Sequence, residues 1–471
     1  MDNNTKLSGC LSPAYTGRLR RGRAGAAYRL TMSDRHVTES AVARLPRPLS
    51  QVREHLRDTF WFAPTAGLVV TAALWVFTSE IDQEILRAMQ ADGDTEGVAA
   101  AVRFAEDVKP VVSAISSAMM TFIGVVFSIS LVAVQMASGQ FTPRVVRVFV
   151  RSRITKLTFS VFLSTFLLSL LVLIAYDGAT DPQEVVSVPL LQAGLALLMV
   201  GLSLVLFIGY VNATLRLMRV GFVIDRITQE AFRVVAKLPP VRGVEWDAEP
   251  ETGRIVHKGR AGVLRDVNIA RLVRSARKHG VVLRLIPQIG DFVVPGTPVL
   301  AVHGGTAAVR KVPVYSLSVG IERTFHQDLG FGLRQLSDIA LRALSSAVND
   351  PTTAVQAVDR IVQFLAALAD RPLESLRHCD RRGRVRLIQP VPGWEELVDL
   401  GFAEIRGCAA GHPQVTRRLL AGLDDLLLLA PPDRAACLLR HRALLAAAVQ
   451  AAVPEAADRE FALQPDQQGI G

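Results

Sequence analysis

The sequence predicts a multi-pass α-helical membrane protein: four transmembrane helices, then a cytoplasmic α+β region with a small β-rich module followed mostly by helices. Three observations predict it. Four stretches between residues 60 and 214 are uncharged, apolar and about 20 residues or longer, enough to cross a bilayer. The segments that join them alternate between basic and acidic. Beyond residue 214 the apolar runs shorten and take on the periods of amphipathic helices and strands.

Residues 1–48 form a basic segment, expected to be a disordered cytoplasmic tail. Its "RLRRGRAGAAYR" has no apolar core behind it and so is not a secretory signal, and Met32 is an alternative start. The transmembrane domain is placed at 49–214, with spans at about 60–79, 110–138, 157–176 and 188–211. None of the spans contains Asp, Glu, Lys, Arg or His. Residues 1–59 hold eleven Lys and Arg; 80–109 hold eight acidic residues against three basic; 139–156 hold five basic and no acidic; 177–187 hold three acidic and no basic. By the positive-inside rule both termini are cytoplasmic, in a bacterial inner (plasma) membrane.

The 471 residues, 50% of them hydrophobic, carry a net charge of +10. That charge falls on the cytoplasmic side facing anionic lipid, so the lipid bilayer is the expected partner and no nucleic acid is needed to explain it. A basic motif interleaved with aromatic residues is absent as well. Cys10, Cys379, Cys408 and Cys437 are far apart and predict no disulfide framework. His378 beside Cys379 reads as a chance neighbour, and the nine histidines are scattered; no metal and no cofactor is expected.

Within the second span, Ser113, Ser117, Thr121, Gly124, Ser128 and Gln135 recur on one helical face. At the helical rise the stripe covers roughly 33 Å, a whole bilayer. The third span carries Ser160, Ser164 and Ser169, and the fourth Gly194, Gly201 and Gly209. Such faces serve close helix packing or line a polar path, alone or around an oligomer axis. The absence of ionisable side chains argues against a proton relay or a charged-substrate pump within one protomer. In the link that follows the second span, Arg144, Arg147 and Arg151 form one basic stripe, read as an anchor or as an electropositive vestibule.

Residues 215–253 read as a membrane-exit helix and a Pro/Gly-rich linker, 254–320 as a small α/β module, 321–457 as a helical domain and 458–471 as a flexible tail. In the module, "NIARLVRSARKHG" reads as a helix closed by Gly280. The pattern from Gly290 to Pro298 resembles one half of a biotinyl/lipoyl-type barrel-sandwich, but no Lys occupies the turn where such a cofactor would attach. In the helical domain, Asn349, Asp350, Pro351, Thr352 and Thr353 separate two apolar helical patterns. Asp350 is a strong N-cap and Pro351 suits the first turn. The same polar cluster is also the candidate ligand or interdomain turn of the cytoplasmic half.

Two longer stretches, "FIGVVFSISLVAVQMASGQFTPRVVRVF" and "RTFHQDLGFGLRQLSDIALRALSSAVNDPTTA", resemble the signatures of a bacterial family of uncharacterised predicted membrane proteins, a domain-of-unknown-function family. The resemblance runs from about Leu49 to Leu429 and includes the Asn-Asp-Pro-x-Thr-Ala motif. It implies four N-terminal transmembrane helices and a soluble C-terminal half, and brings no activity or catalytic residues. The family typically has Ser-Pro ahead of this motif; here Ser346 follows Ser345 in place of the proline.

No nucleophile elbow, Walker loop or HExxH occurs, so no enzyme is expected. Two functions remain. One is an oligomeric passive pore or transporter, a homo-oligomer lined by the second span and gated by the cytoplasmic half. The other is a membrane-anchored sensor or scaffold that binds a partner or small ligand near Asn349–Thr353.

Overall fold

A computed structural model describes residues 61–140, 152–175, 188–238, 249–305, 316–371 and 373–468 of the chain. All of them belong to one compact unit, Pro46–Gly471. Four helices, α1 (Phe62–Ala91), α2 (Thr95–Gln140), α3 (Arg153–Ile174) and α4 (Leu190–Leu217), are long and apolar enough to cross a membrane. Large apolar side chains such as Val69, Phe77, Phe127, Leu198 and Ile208 point outward from them, as lipid-facing residues do.

The first two helices run well past their apolar spans. At 30 and 46 residues they extend about 45 and 69 Å. A window tuned to bilayer thickness finds only the apolar part, whereas the polar, alanine-rich continuation "TEGVAAAVRFAEDV" is itself a good helix former. Pro110 therefore lies inside α2 rather than at its start. Gly93, at φ +71°, turns the chain between the two helices, and the Asp94 carboxylate caps α2 by accepting from the Gly97 amide at 2.8 Å. The extensions pack together through Leu86, Val98, Ala101 and Ala105, with Val188 ahead of α4.

α5 (Val220–Val235) follows α4 after two residues and buries Val223, Ile224, Ile227 and Ala231. The β module then supplies β1 (Glu251–Val256), β2 (Gly262–Val267), α6 (Ile269–His279), β3 (Val282–Leu285), β4 (Phe292–Val293), β5 (Pro298–His303) and β6 (Leu317–Gly320). Gly280 ends α6 in the left-handed region at φ +68°. The remaining elements are α7 (Leu329–Ala343), α8 (Pro351–Leu368), β7 (Ser375–Cys379), β8 (Val385–Pro390), α9 (Trp394–Ala409), α10 (Pro413–Leu429), α11 (Ala435–Ala452) and α12 (Ala456–Ala462).

The module and the helical layer share a sheet, which the division at residue 320 does not anticipate. β8 pairs in parallel with β3, Leu283 opposite Leu387, giving a five-stranded order β1-β5-β3-β8-β7; β4-β2-β6 form a second sheet. The arginine-rich "DRRGR", which reads as a charged break, is the turn of the β7–β8 hairpin. Asp380 accepts from the amides of Arg382 (2.9 Å) and Arg384 (3.2 Å) and from Arg386 Nε (2.9 Å), which absorbs its charge locally. The segment from residue 458 is not loose either, as far as Gln468. Arg417 donates to the Gln464 carbonyl at 3.1 Å, pairs with Asp466 at 3.0 Å and covers the Phe461 ring at 4.1 Å.

α5, α7, α8, α9, α10 and α11 enclose one large apolar core. Its edge takes in Leu217 and Val220, where α4 passes into α5, and also Val134 of α2. The C-terminal end of the second span therefore touches the C-terminal half.

Candidate functional site

The three small-residue faces have different fates. On α3 the hydroxyls are consumed inside the chain. Ser160 donates to the Ala63 carbonyl of α1 at 2.9 Å, and Thr165 meets Ser203 of α4 at 3.1 Å. Ser164 and Ser169 are buried. Gly67 of α1 provides the clearance: a Cβ there would lie 2.2 Å from Ser160 Oγ. This seam is close packing of the kind small residues permit.

On α2 the opposite holds. Ser113, Ser117, Thr121, Gly124, Ser128 and Gln135 are all exposed on the single chain. The buried side of α2 is instead Val112, Ile115, Ser116, Met119, Val126 and Ala133. Ser130 completes it, meeting the Tyr210 hydroxyl at 2.6 Å. Ser117 donates to the Ser113 carbonyl at 3.2 Å and Thr121 to the Ser117 carbonyl at 3.4 Å, so these protons are satisfied within the helix and the outward lone pairs are left to accept. Around Gly124 nothing lies within 4 Å of an added Cβ, and the same is true at Gly194, Gly201 and Gly209 of α4. Among the described residues, therefore, the stripe is not a packing seam. Arg144, Arg147 and Arg151 lie outside the described residues.

The Asn349–Thr353 turn is built as a helix cap. Asn349 takes φ +47°, a conformation asparagine tolerates. Asp350 accepts from the Thr353 amide at 3.0 Å and from its hydroxyl at 2.5 Å. Pro351 opens α8, where its missing N–H costs nothing. Asn349 and Thr352 are exposed, while Asp350, Pro351 and Thr353 are half-buried. Ser345, beside the variant Ser346, accepts from the Asn349 amide through its carbonyl at 2.9 Å, so the chain turns here without a proline.

The turn's place follows from helix register. Gln356 lies against Gly221, and Arg360 reaches Asp225 at 3.7 Å. Both partners advance by four residues, so α8 runs parallel to α5, and its first turn sits at the end where α5 leaves the membrane. Asn349–Thr353 thus lie at the end of the C-terminal half where α5 begins, and Val134 of α2 packs against the same core.

Several side chains with structural consequences are not apparent from the sequence. Asp82, on α1, is buried and accepts from the amides of Leu191 (2.9 Å) and Gln192 (3.3 Å), capping the start of α4. In sequence it is one of eight acids in a polar segment, and its partners are more than a hundred residues away. Arg323 and Asp328 form a two-pronged ion pair (2.7 and 2.8 Å) beneath the β module. Among the described residues, no three His, Cys, Asp or Glu side chains gather into a group that could hold a metal ion.

The family model described as "Predicted membrane protein (DUF2254)" matches residues 57–425. The chain is 27% identical, over 88% of its own length and 80% of theirs, to uncharacterized proteins of Mycobacterium tuberculosis (strain ATCC 25618 / H37Rv) and Mycobacterium bovis (strain ATCC BAA-935 / AF2122/97). No solved structure matches it.

Proposed function

From the premise that the chain belongs to the predicted membrane protein family DUF2254, we propose that it is an inner-membrane protein, cytoplasmic at both termini, that assembles into a homo-oligomeric passive pore or transporter without enzymatic activity. The observation that carries the reading is the outward hydroxyl face of α2. A lipid-facing helix has no use for a bilayer-long row of Ser, Thr, Gly and Gln, while a symmetry axis between copies does. Uncharged walls of this kind suit passive movement rather than proton coupling. A gating role for the C-terminal half is supported by Val134 of α2, which packs against that half's core.

Flux through purified full-length protein in liposomes tests it. Wild type should conduct, and the triple change Ser117→Leu, Thr121→Leu and Ser128→Leu should lower flux by on the order of tenfold or more, since an apolar constriction dewets. Unchanged flux in the triple variant removes the lining role. An oligomer with no flux under any gradient favours the membrane-anchored sensor, whose ligand or partner would bind at Asn349–Thr353.

A further inference from the structure

His441 sits on the inner side of α11, 2% exposed, against a wall of Phe402, Leu419, Leu423 and Leu445. Its Nε2 lies 2.7 Å from Asp399 Oδ1 and its Nδ1 3.1 Å from Arg406 Nη1, both groups on α9. The chemistry of the partners sets the tautomer. A guanidinium only donates, so Nδ1 must be an acceptor; the carboxylate only accepts, so the ring proton is on Nε2. The neutral imidazole therefore bridges the two groups with one proton and one lone pair.

The surrounding charges leave no room for a second proton. From α9, Asp399 and Arg406 face the ring, and Glu395 is held by Arg440 of α11 at 2.8 Å, which also reaches Asp399 at 2.6 Å. α10 presents Leu419 and Leu423, and its Asp424 is taken up by Arg442 at 2.7 Å. Arg434, in the turn before α11, lies over Trp394 and donates to the carbonyls of Leu368, Ala369 and Arg371. Arg459 of α12 is held by the carbonyls of Val453 and Pro454. Arg406, Arg440 and Arg442 already balance Glu395, Asp399 and Asp424, so an imidazolium would add one uncompensated charge against an apolar wall.

We propose that His441 is a proton-operated latch between α9 and α11. A solvent proton taken by the Nδ1 lone pair turns that acceptor into a donor facing Arg406, expels the guanidinium and loosens α11. Burial agrees in direction, holding the imidazole below its ordinary 6.5 even though Asp399 pulls it upward. The folded state then disfavours a proton that the opened state accepts. The latch is fully closed above about pH 6.5 and weakens as pH falls below it, with opening rising by up to tenfold per pH unit for one proton.

Hydrogen exchange of residues 435–452 in the full-length protein, corrected for the intrinsic pH dependence of exchange, tests this between pH 5 and 8. Wild type should lose protection below about pH 6.5. His441→Gln, which can accept from Arg406 and donate to Asp399 but cannot titrate, should give a flat profile. Arg406→Gln removes the opposing cation, lets the closed state hold the second proton more readily, and should make the loss of protection below about pH 6.5 smaller than in wild type. A flat wild-type profile, or identical profiles in wild type and His441→Gln, overturns the proposal. If His441→Gln does not fold, a loss of protection in Arg406→Gln as large as in wild type overturns it instead.

Discussion

Replacing Arg323 with alanine is expected to remove about 3–5 kcal/mol of stability from the C-terminal half, the range seen when one partner of a buried ion pair is deleted. Only 1% of the Asp328 side chain is exposed, and Arg323 meets both of its oxygens. Without the guanidinium the buried carboxylate keeps only the backbone amides of Gly330 and Phe331 and loses its counter-charge. The pair also fills the space under the Gly290 turn, where an added Cβ would meet Asp328 Oδ2 at 2.6 Å. Next to it, the Gln327 amide exchanges two 3.0 Å bonds with the backbone of Val267, as a neighbouring strand would. This short segment fastens α7 to the β module, so its loss should unfasten both.

The pH dependence has a definite sign. Burial pushes the Asp328 carboxyl above its usual value, and Arg323 pulls it partly back. In Arg323→Ala the upward push of burial is opposed only by the Gly330 and Phe331 amides, so the folded state favours the protonated carboxyl more than wild type does. Such a group stabilises at low pH and loses its contribution as pH rises through its folded value. The deficit should therefore be larger at pH 8 than at pH 5, read by thermal unfolding of the full chain followed by circular dichroism. A loss under about 1 kcal/mol, the contribution of an exposed pair, would contradict the account.

A comparable effect is expected in the membrane half at Gly67. A leucine there must displace Ser160 Oγ, which lies 2.2 Å from the position of its Cβ, together with Ser164 Oγ at 3.0 Å, and it presses on the Ser160 carbonyl at 3.4 Å. The hydroxyl can move only by giving up its bond to Ala63. Overpacking costs roughly 1–3 kcal/mol when side chains can yield and more when backbone must move. Gly67→Leu should therefore part α1 from α3 and lower the unfolding temperature in detergent. Gly67→Ala combined with Ser160→Gly should be close to neutral. If Gly67→Leu is as stable as wild type, the α1–α3 seam is not packed as described.

These two sites also show what the sequence makes legible. Four spans can be read from apolar length alone, because a bilayer imposes that length on any helix that crosses it. The cap at Asp350 is readable too, since an N-cap and its partner lie three residues apart. What is not readable involves partners far along the chain. Asp82 caps a helix that begins 108 residues later, and β8 joins β3 across about a hundred residues. The stripes on α2 and α3 look alike in sequence, because a helical period says which residues share a face and not what covers that face. On α3 the cover is Gly67 and Ser203; on α2 no described residue covers the stripe.

The most direct test of that uncovered face is thiol labelling in native membranes, with Cys10, Cys379, Cys408 and Cys437 first removed. Thr121→Cys and Met120→Cys are compared with a charged, membrane-impermeant thiol reagent. Both positions are exposed on the chain, about 100° apart around α2. A water-lined axis predicts that Thr121→Cys reacts and Met120→Cys, turned to lipid, does not. Protection at both positions, or equal reaction at both, would contradict a path along the hydroxyl face.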